Sequence, residues 1–324
     1  MKLVTFSTDG ADRVGVLTDS DTRVVDLAQA DPDPAAPFGR MLDLIEAGDA
    51  GLERARAAVA GARAGAVRLL AEVTLRTPIP DPPQIRDFLC FEEHLVNAFA
   101  MARRKKAAAE ADPQAALKRI EEQGILRTPP VWYEVPLFYK PSRFGVIGSG
   151  ADVIWPHFSN LLDYEMEFCA VIGRKIRDAS RDEARAAIFG YSIFNDISAR
   201  DTQIIEMAGG LGPGKGKDFE TGQIIGPCIV TADAFDPYAA DMIVRVNGEE
   251  RSRGNSASMY WKFEDCIAHA SKSETVYPGE FFCSGTVGGG CGLELDRFLA
   301  DGDVVELEVT GIGVLRNRIV KKHP

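Results

Sequence analysis

The stretch Asp163-Tyr-Glu-Met-Glu-Phe-Cys-Ala-Val-Ile172 has an acid at every second position and then a run of apolar residues. This spacing puts Asp163, Glu165 and Glu167 on one face of a β-strand. A half-buried strand with one wet face would explain the acids by themselves. Segment 168–172 is apolar on both faces, however, so we predict that the strand enters the core directly after the acids.

Carboxylates at the mouth of a buried strand create an electrostatic problem. Asp163, Glu165 and Glu167 would repel one another, and burial would drive each to take up a proton unless a cation lay among them. Ligation by carboxylate oxygens suits Mg²⁺, Mn²⁺ or Ca²⁺ and does not suit zinc or copper. The stretch therefore indicates an oxygen-ligated site for a divalent metal.

A second polar group, NDISARDTQ at 195–203, follows the next predicted strand. Asp196 ends that strand, and Ser198 with an acid three residues later resembles a capping box that begins a helix. On such a helix Arg200 and Gln203 lie on the same face. Asp196 is then either a turn or capping residue, or a further acid of the site.

Three more residues are candidates on weaker grounds. Asp87 precedes His94 by seven residues, which is two helical turns, so both can face one cleft. A helix-capping Asp87 and a structural His94 are the alternatives.

The glycine-rich segment 209–216 resembles a phosphate-binding loop but lacks its Ser/Thr and its strand–loop–helix context, which excludes a nucleotide site. Lys217 is either a solvated lysine or a cation held near the acids.

Composition and charge exclude several classes of protein. The 324 residues are 45% hydrophobic and 26% charged, as in a globular chain of about two domains. The net charge of −11 and the pI near 5.0 argue against a nucleic-acid partner. No apolar run reaches the roughly 20 residues of a membrane span, and the first residues do not resemble an export signal. Six scattered cysteines without a CxxC pair predict buried thiols in a reducing, cytoplasmic compartment.

A proline-rich segment divides the chain into two predicted domains, 1–80 and 81–324. Residues 77–83, TPIPDPP, can form neither a helix nor a central strand. Short strands separated by Gly and Pro turns predict a sheet-rich domain after residue 130. The other elements that the patterns predict are strands at 2–6 and 13–17 and helices at 52–71, 88–123 with a bend near Asp112-Pro113, 182–189, 200–207 and 262–271.

Taken together and in their order along the chain, the motifs from about Pro82 to Arg318 resemble those of the fumarylacetoacetate hydrolase family. Each motif is weak by itself, whereas the ordered set is specific. The matching pieces are Asp87-x6-His94, Asp163-x-Glu165-x-Glu167, Asn195-Asp-Ile-Ser-Ala-Arg-Asp-Thr-Gln203, Gly216-Lys-Asp-Phe-Glu-Thr221, Ser284-Gly-Thr286, Cys291-Gly-Leu-Glu294 and the stretch 299–313.

The resemblance implies an α+β, β-rich fold, with a mixed β-sheet roll as the catalytic domain and a small N-terminal α+β domain. It also implies a homodimer, a bound Mg²⁺ (or Mn²⁺ or Ca²⁺) ion and a small anionic keto acid as substrate. Residues 99–130 follow His94 and are basic at 103–106, so we expect a lid insertion that attracts the anion. A solvated helix face is the alternative.

Motif positions in the family imply a role for each candidate residue. His94 is implied as the base that activates water, and Glu294 as the carboxylate that orients it. Lys217 is implied to be catalytic, and Thr221 to lie behind the substrate contacts. The implied metal ligands are Asp87, Glu165, Glu167 and Asp196. The implied substrate contacts are Arg103, Tyr139, Arg200, Gln203 and Thr286.

The implied activity is metal-dependent hydrolysis of a C–C bond in a β-diketone or acylpyruvate-type keto acid. A decarboxylase or an isomerase/tautomerase using the same metal is the alternative, and a non-catalytic keto-acid or metal binder is a different class. The His94–Glu294 pair favours hydrolysis, because the other reactions have less need to activate water. Leu89 and Met207 replace two tyrosines of the enzymes that act on fumarylacetoacetate, which predicts a more apolar pocket for the substrate's tail.

Overall fold

A computed structural model describes residues 1–8 and 10–322 of the chain. Its strands are β1 (Lys2–Thr8), β2 (Ala11–Thr18), β3 (Arg23–Asp26), β4 (Val67–Leu69), β5 (Thr74–Leu75), β6 (Ile85–Phe88), β7 (Phe138–Tyr139), β8 (Val146–Ile147), β9 (Asp152–Ile154), β10 (Leu162–Asp163), β11 (Met166–Ile172), β12 (Ile188–Asp196), β13 (Ser198–Ala199), β14 (Gln223–Thr231), β15 (Asp241–Val246), β16 (Glu249–Asn255), β17 (Phe281–Cys283), β18 (Val304–Val309) and β19 (Gly313–Val320). Its α-helices are α1 (Leu27–Ala30), α2 (Met41–Glu46), α3 (Gly48–Ala60), α4 (Glu92–Ala108), α5 (Pro113–Glu122), α6 (Arg181–Ala186), α7 (Arg200–Ala208), α8 (Phe263–Ala270) and α9 (Gly292–Leu295).

Two mixed sheets form the framework of the molecule. The larger has the order β4-β3-β2-β1-β14-β12-β11-β17-β6-β7, and β5 and β8 pair with β1 and β14. The smaller has the order β16-β15-β18-β19-β9, and β10 pairs with β13 outside both sheets. The β-rich mixed fold that the sequence predicts is therefore confirmed.

Strand β11 shows how the core forms on both faces of the larger sheet. All seven of its residues are buried, as its apolar run predicts. Phe168 and Ala170 pack into one hydrophobic cluster with residues of the smaller sheet and of α8, whereas Cys169 and Val171 pack into a second cluster with α2 and α3. Side chains that alternate between the two faces thus place β11 between two apolar layers. This fixes the position of Glu165, just before the strand, and of Glu167, near its start.

Several predicted elements differ from the structure. The predicted strands at 2–6 and 13–17 are present as parts of β1 and β2, but the helix predicted at 52–71 ends at Ala60, with Gly61 as its cap, before β4. The helix predicted at 88–123 is two helices, because Asp112 caps α5 by accepting a hydrogen bond from the Ala115 amide and Pro113 occupies its first turn. Asp87 lies on β6, so the two-turn relation to His94 is wrong.

The capping box predicted at Ser198 is also wrong. Helix α7 begins after Ala199, which makes no side-chain cap. The Ser198 hydroxyl donates to the carbonyl of Asp196, and Asp201 accepts from the Ser159 hydroxyl at 2.6 Å. Asp196 nevertheless ends β12 directly before this turn, as predicted.

The proline-rich segment 77–83 lies between β5 and β6, outside the helices and strands. Strand β1 pairs with β14 through Lys2↔Val230 and Leu3↔Ile229, so one sheet continues across residue 80. The division into domains 1–80 and 81–324 remains a prediction about folding units. Among the described residues, no helix is both long and apolar enough to cross a membrane.

Candidate active site

Three acids from neighbouring strands of the larger sheet meet in its interior. Asp87 on β6, Glu167 on β11 and Asp196 at the end of β12 each place a carboxylate oxygen within 4.8 Å of the others. Asp87 is 6% exposed, and Glu167 and Asp196 are fully buried. Burial raises the pKa of Asp87 and of Glu167, and nearby carboxylates raise both further. Burial also raises the pKa of Asp196, although Lys217 opposes the change.

The unsatisfied oxygens of this carboxylate cluster fit a divalent cation. Oδ1 of Asp87, Oε1 of Glu167 and Oδ1 of Asp196 are buried and have no hydrogen-bond partner. Such groups are costly unless something compensates them. The donor set contains only oxygen, which suits Mg²⁺, Mn²⁺ or Ca²⁺. A divalent metal therefore fits this part of the structure.

The second oxygen of Glu167 is fixed by the backbone of the loop after β17. The Gly285 amide donates to Oε2 of Glu167 at 2.9 Å. Gly285 has φ +73°, and a Cβ there would lie 2.2 Å from the carbonyl oxygen of Phe88, so only glycine fits. Thr286 follows and is 2% exposed.

Two cationic side chains, those of Arg200 and Lys217, contact the carboxylate of Glu165. Its Oε1 lies 2.7 Å from Nη1 of Arg200, and its Oε2 accepts from Nζ of Lys217 at 2.6 Å. Burial alone would raise the pKa of Glu165, but Lys217, Arg200 and His94 lower it to about 2. Glu165 is therefore ionised, and it adjoins the carboxylate cluster through Lys217.

Lys217 connects Glu165 with Asp196. Its Nζ donates to one carboxylate oxygen of each at 2.6 Å, and the residue is 3% exposed, so it is not a solvated lysine. Burial would lower the pKa of Lys217, but Asp196 and Glu165 raise it above the usual value. The glycine-rich segment allows this approach, because a Cβ on Gly216 would lie 2.7 Å from the backbone of Gln203.

His94 and Glu294 form a hydrogen-bonded pair. Nδ1 of His94 lies 2.7 Å from Oε1 of Glu294. Oε2 of Glu294 accepts from Nδ2 of Asn97 at 2.9 Å and from the Gly289 amide at 2.7 Å. Both oxygens of Glu294 are thus fixed, and Nε2 of His94 is the ring nitrogen outside the pair.

Asp163 positions the short helix that carries Glu294. Its carboxylate accepts from the amides of Gly292 and Leu293 at 2.8 and 2.9 Å and from Nε of Arg200 at 2.8 Å. Burial raises the pKa of Asp163, although Arg200 opposes the change. A Cβ on Gly292 would lie 2.2 Å from the carbonyl of Arg297, so glycine is required where the helix meets this carboxylate.

The other predicted substrate contacts have these surroundings. The Tyr139 hydroxyl donates to Oδ2 of Asp196 at 2.6 Å, and Gln203 accepts from Nη1 of Arg200 at 2.8 Å. The Thr221 hydroxyl accepts from the amide of Ile154 at 2.8 Å. The structure thus brings Tyr139 and Gln203 to the carboxylates or their cations, whereas Thr221 bonds the backbone of β9.

Arg103 lies on α4, nine residues beyond His94. Its guanidinium donates to the carbonyl of Leu126, and it lines a cavity of about 410 Å³ beside α4 and α5. The residues of the cavity wall are Val96, Phe99, Arg103, Glu121, Arg127, Thr128 and Tyr133. The acids of the carboxylate cluster are not among them, so Arg103 is separate from that cluster in this conformation.

Sequence reasoning missed three contacts of the candidate site. Asn97 follows His94 by three residues, so helical spacing alone places it on the same face as His94. Asp163 is the first residue of the acidic motif, but its contact with the Leu293 amide of α9 joins residues 130 positions apart, which no local pattern shows. The third contact comes from the backbone amide of Gly285, and a sequence pattern does not show which backbone amides reach a site.

Comparison with known proteins agrees with this arrangement. Residues 86–320 match the family model described as fumarylacetoacetate (FAA) hydrolase C-terminal. The chain belongs to the fumarylacetoacetate hydrolase family. The resemblance drawn from the motifs is confirmed, and so is the family's fold.

Two relatives of this family member are oxaloacetate tautomerases by name. The mitochondrial FAHD2A of Homo sapiens is 31% identical over 290 residues, which cover 89% of this chain and 82% of the relative. The mitochondrial fahd2 of Xenopus laevis is 29% identical over 328 residues, which cover 99% and 90%.

Two solved structures share the whole fold. A fumarylacetoacetate hydrolase from Exiguobacterium antarcticum has a TM-score of 0.73 and 26% identity over 99% of this chain and 100% of that one. A maleylpyruvate hydrolase from Sphingobium sp. SYK-6, in complex with manganese(II) and pyruvate, has a TM-score of 0.72 over 100% of both chains. At 23% identity, that likeness shows the fold alone.

Proposed function

We propose that this protein is a divalent-metal-dependent enzyme that tautomerises a 2-keto acid of the oxaloacetate type, moving a proton between the carbon beside the ketone and the ketone oxygen. The observation that carries the proposal is the His94–Glu294 pair, which fixes Nδ1 of the imidazole and leaves Nε2 to accept a proton. The imidazole lies within electrostatic reach of Glu165, which Lys217 connects with Asp196 of the carboxylate cluster. The activity named for the human relative, which is 31% identical, supports the same reaction.

Asp87, Glu167 and Asp196 would hold the metal ion through their unsatisfied oxygens. Glu165 contacts Arg200 and Lys217 in this structure, and it remains a further predicted ligand of the metal. When bound, a divalent cation polarises the ketone and carboxylate oxygens of a 2-keto acid and acidifies the adjacent C–H bond.

The protein's own groups then move the proton. With Nδ1–H of His94 hydrogen-bonded to Oε1 of Glu294, Nε2 takes the proton from carbon, and the carboxylate of Glu294 stabilises the imidazolium that results. Lys217 carries a positive charge in a buried position, where it offsets negative charge that develops on the substrate oxygen. The imidazolium returns its proton to that oxygen, which completes the tautomerisation.

Hydrolysis of an acylpyruvate is the second candidate. The same imidazole nitrogen can deprotonate either carbon or water, so the pair alone does not favour hydrolysis over tautomerisation, contrary to the expectation from the sequence. The likeness to a fumarylacetoacetate hydrolase, which is 26% identical over 99% of this chain, supports this candidate. A decarboxylase would use the same enolate chemistry without a base that activates water.

One pair of assays separates these reactions. Purified protein with Mg²⁺ receives enol-oxaloacetate, and loss of enol absorbance is followed together with pyruvate release by a coupled dehydrogenase. A tautomerase removes the enol without releasing pyruvate, and a decarboxylase releases pyruvate from oxaloacetate. A hydrolase releases pyruvate only from the acylpyruvates in a parallel panel. Rates equal to those of the His94→Ala variant in all assays would contradict the proposal.

The chain also has a surface suited to a homodimer. Ile204, Ile205 and Met207 on α7 and Leu211 just beyond it are 54–99% exposed, an unusual density of apolar side chains for a free surface. We therefore propose that α7 lies at a two-fold interface. Sedimentation of the wild type as a monomer would contradict this, and Ile205→Asp should shift a dimer toward monomer.

The six cysteines are free and buried, which supports a reducing compartment such as the cytoplasm predicted from the sequence. The two relatives compared above are named as mitochondrial proteins. The cytoplasmic location therefore remains a prediction, which tagging and fractionation of the expressed protein would test.

A further inference from the structure

A thiol lies beside the His94–Glu294 pair and has no part in the proposed reaction. Sγ of Cys291 is 3.4 Å from Oε1 of Glu294, the same oxygen that contacts Nδ1 of His94 at 2.7 Å. One ligand atom from each of the three side chains lies within 4.8 Å of the others. Cys291 is fully buried directly before α9, where its backbone bridges that of Glu165.

The donor set of this trio differs from that of the carboxylate cluster. Sulfur, imidazole nitrogen and carboxylate oxygen are the three ligand types of zinc, at roughly 2.0–2.3 Å from the ion. Ligands at such distances around a tetrahedral ion lie roughly 3–4 Å apart, so small movements of the three side chains would complete the geometry. Three protein ligands with a fourth position left open resemble a zinc site that keeps one exchangeable ligand.

We propose that His94, Cys291 and Glu294 form an inhibitory site for a thiophilic cation such as Zn²⁺, distinct from the carboxylate cluster. The inhibitory consequence rests on the proposed function, whereas the binding does not. The hard cations Mg²⁺, Mn²⁺ and Ca²⁺ favour the all-oxygen cluster, and the thiolate ligand selects Zn²⁺ or Cd²⁺ for the trio.

The surroundings of Glu294 support it as a ligand. Asn97 and the amide of Gly289 hold its Oε2, which leaves Oε1 directed at His94 and Cys291. Hydrogen bonds of this kind orient metal ligands in proteins. The side chain of His94 is 10% exposed, compared with 1% for Glu294, so a cation would enter past the imidazole.

Binding of the cation removes the base by a balanced exchange of protons. The thiol proton of Cys291 leaves to solvent as the sulfur–metal bond forms. Nδ1 of His94 becomes a ligand, so the ring proton moves from Nδ1 to Nε2. The nitrogen proposed to accept the substrate's proton is then already protonated, and Glu294 is no longer available to orient it.

Cadmium tests the binding directly, because a cadmium–thiolate bond gives an ultraviolet charge-transfer band. Titration of the full chain with Cd²⁺ in excess Mg²⁺ should produce this band at one equivalent. Cys291→Ser should abolish the band and weaken Cd²⁺ binding by at least about 100-fold, and Asn97→Ala should weaken binding by about 10–100-fold. Circular dichroism and thermal melting establish that each variant is folded.

Two matched cysteine variants serve as controls. Cys228→Ser removes a thiol that is equally buried in β14, and the band should remain. Cys90 and Cys266 form another close pair, with Sγ atoms 3.6 Å apart, and Cys90→Ser should also leave the band intact. A band that persists in Cys291→Ser, or that disappears in Cys90→Ser, would overturn the proposal.

Zinc inhibition tests the consequence. Zn²⁺ should inhibit turnover of wild-type protein at any Mg²⁺ concentration, and Cys291→Ser should need at least about tenfold more Zn²⁺ for half inhibition. Relief of inhibition in proportion to added Mg²⁺ would place zinc at the carboxylate cluster and contradict the proposal. If the wild type shows no turnover of any keto acid, the proposed function fails, and the cadmium titration still decides the site.

Discussion

Nδ1 of His94 lies 2.7 Å from Oε1 of Glu294, although 200 residues separate the two along the chain. Helix α4 carries the histidine and α9 carries the glutamate, which Asn97 and Gly289 hold in place. A glutamate in this position selects the tautomer with a proton on Nδ1 and stabilises the imidazolium. The pair is therefore the feature of the site that most directly supports proton transfer.

Replacement of the histidine tests this interpretation. We expect His94→Ala to lower kcat for the keto acid by about 10²–10⁴-fold, the usual range for loss of a general base. Glu294→Gln should lower kcat less, because Nε2 remains in place without its orienting charge. Mg²⁺ binding, measured by calorimetry, should be unchanged in His94→Ala, and a kcat within about twofold of wild type would contradict the role of His94.

The position of α9 can be tested without altering either member of the pair. In Gly292→Ala, the new Cβ would overlap the carbonyl of Arg297 and the carboxylate of Asp163, so α9 must shift. We expect kcat to fall by at least about tenfold, because small displacements of a catalytic group are costly. Gly65→Ala is the matched control, since a Cβ there meets open space and activity should be retained. Equal activity of the two variants would show that α9 tolerates the shift.

Lys217 is expected to be essential for stability as well as for activity. Lys217→Met leaves the buried carboxylates of Glu165 and Asp196 without their shared cation, which costs about 3–5 kcal/mol in comparable buried pairs. The free energy of unfolding by urea should fall by that amount. Lys215→Met, on the exposed part of the same loop, should change it by less than about 0.5 kcal/mol. Comparable effects of both variants would contradict the role given to the buried ion pairs.

The prediction of a lid at 99–130 can be tested through the basic side chains of α4. Helices α4 and α5 pack through a small apolar cluster of Ala107, Ala116 and Ile120, and Lys105 pairs with Asp296 at 2.7 Å. If this segment closes over an anion, Arg103→Glu should raise KM more than it lowers kcat. Arg104→Glu, an exposed charge reversal on the same helix, should have a smaller effect. Equal KM values for the two variants would contradict a substrate contact at Arg103.

The sequence predicted the parts of the site that depend on local pattern. The apolar run after Glu167 identifies β11 as a buried strand, and Asp196 was correctly expected at the end of the next one. Alternation did not extend to all three acids, because β10 ends at Asp163 and β11 begins only at Met166. Asp163 consequently accepts hydrogen bonds from α9, Glu165 pairs with cationic side chains, and Glu167 is a member of the carboxylate cluster.

Contacts between distant segments lie beyond what local patterns show. No periodicity relates His94 to Glu294, and only the family resemblance joined them. The glycine-rich segment before Lys217 is typical of a solvated loop, yet its small residues let the lysine reach the interior. Burial of this kind depends on which elements pack together, and the cavity that contains Arg103 likewise exists only after α4 and α5 have packed.

Loss of one negative charge from the carboxylate cluster should weaken metal binding and raise the stability of the metal-free protein. Burial raises the pKa of Glu167, and repulsion from Asp87 and Glu165 raises it further. The folded chain therefore binds more protons than the unfolded chain between the ordinary pKa of this group and its raised value. Its contribution to stability is present at low pH and is lost as pH rises through the raised pKa.

Glu167→Gln removes this charge and can still accept the hydrogen bond from the Gly285 amide. In excess chelator at about pH 8, we expect the variant to melt at least about 2 °C above wild type, and wild type to lose more stability than the variant between about pH 5 and pH 8. Mg²⁺ should raise the melting temperature of wild type, because it binds only the folded chain, and should raise that of Glu167→Gln less. A variant that melts below wild type in chelator at pH 8, or that gains as much from Mg²⁺, would contradict Glu167 as a strained metal ligand.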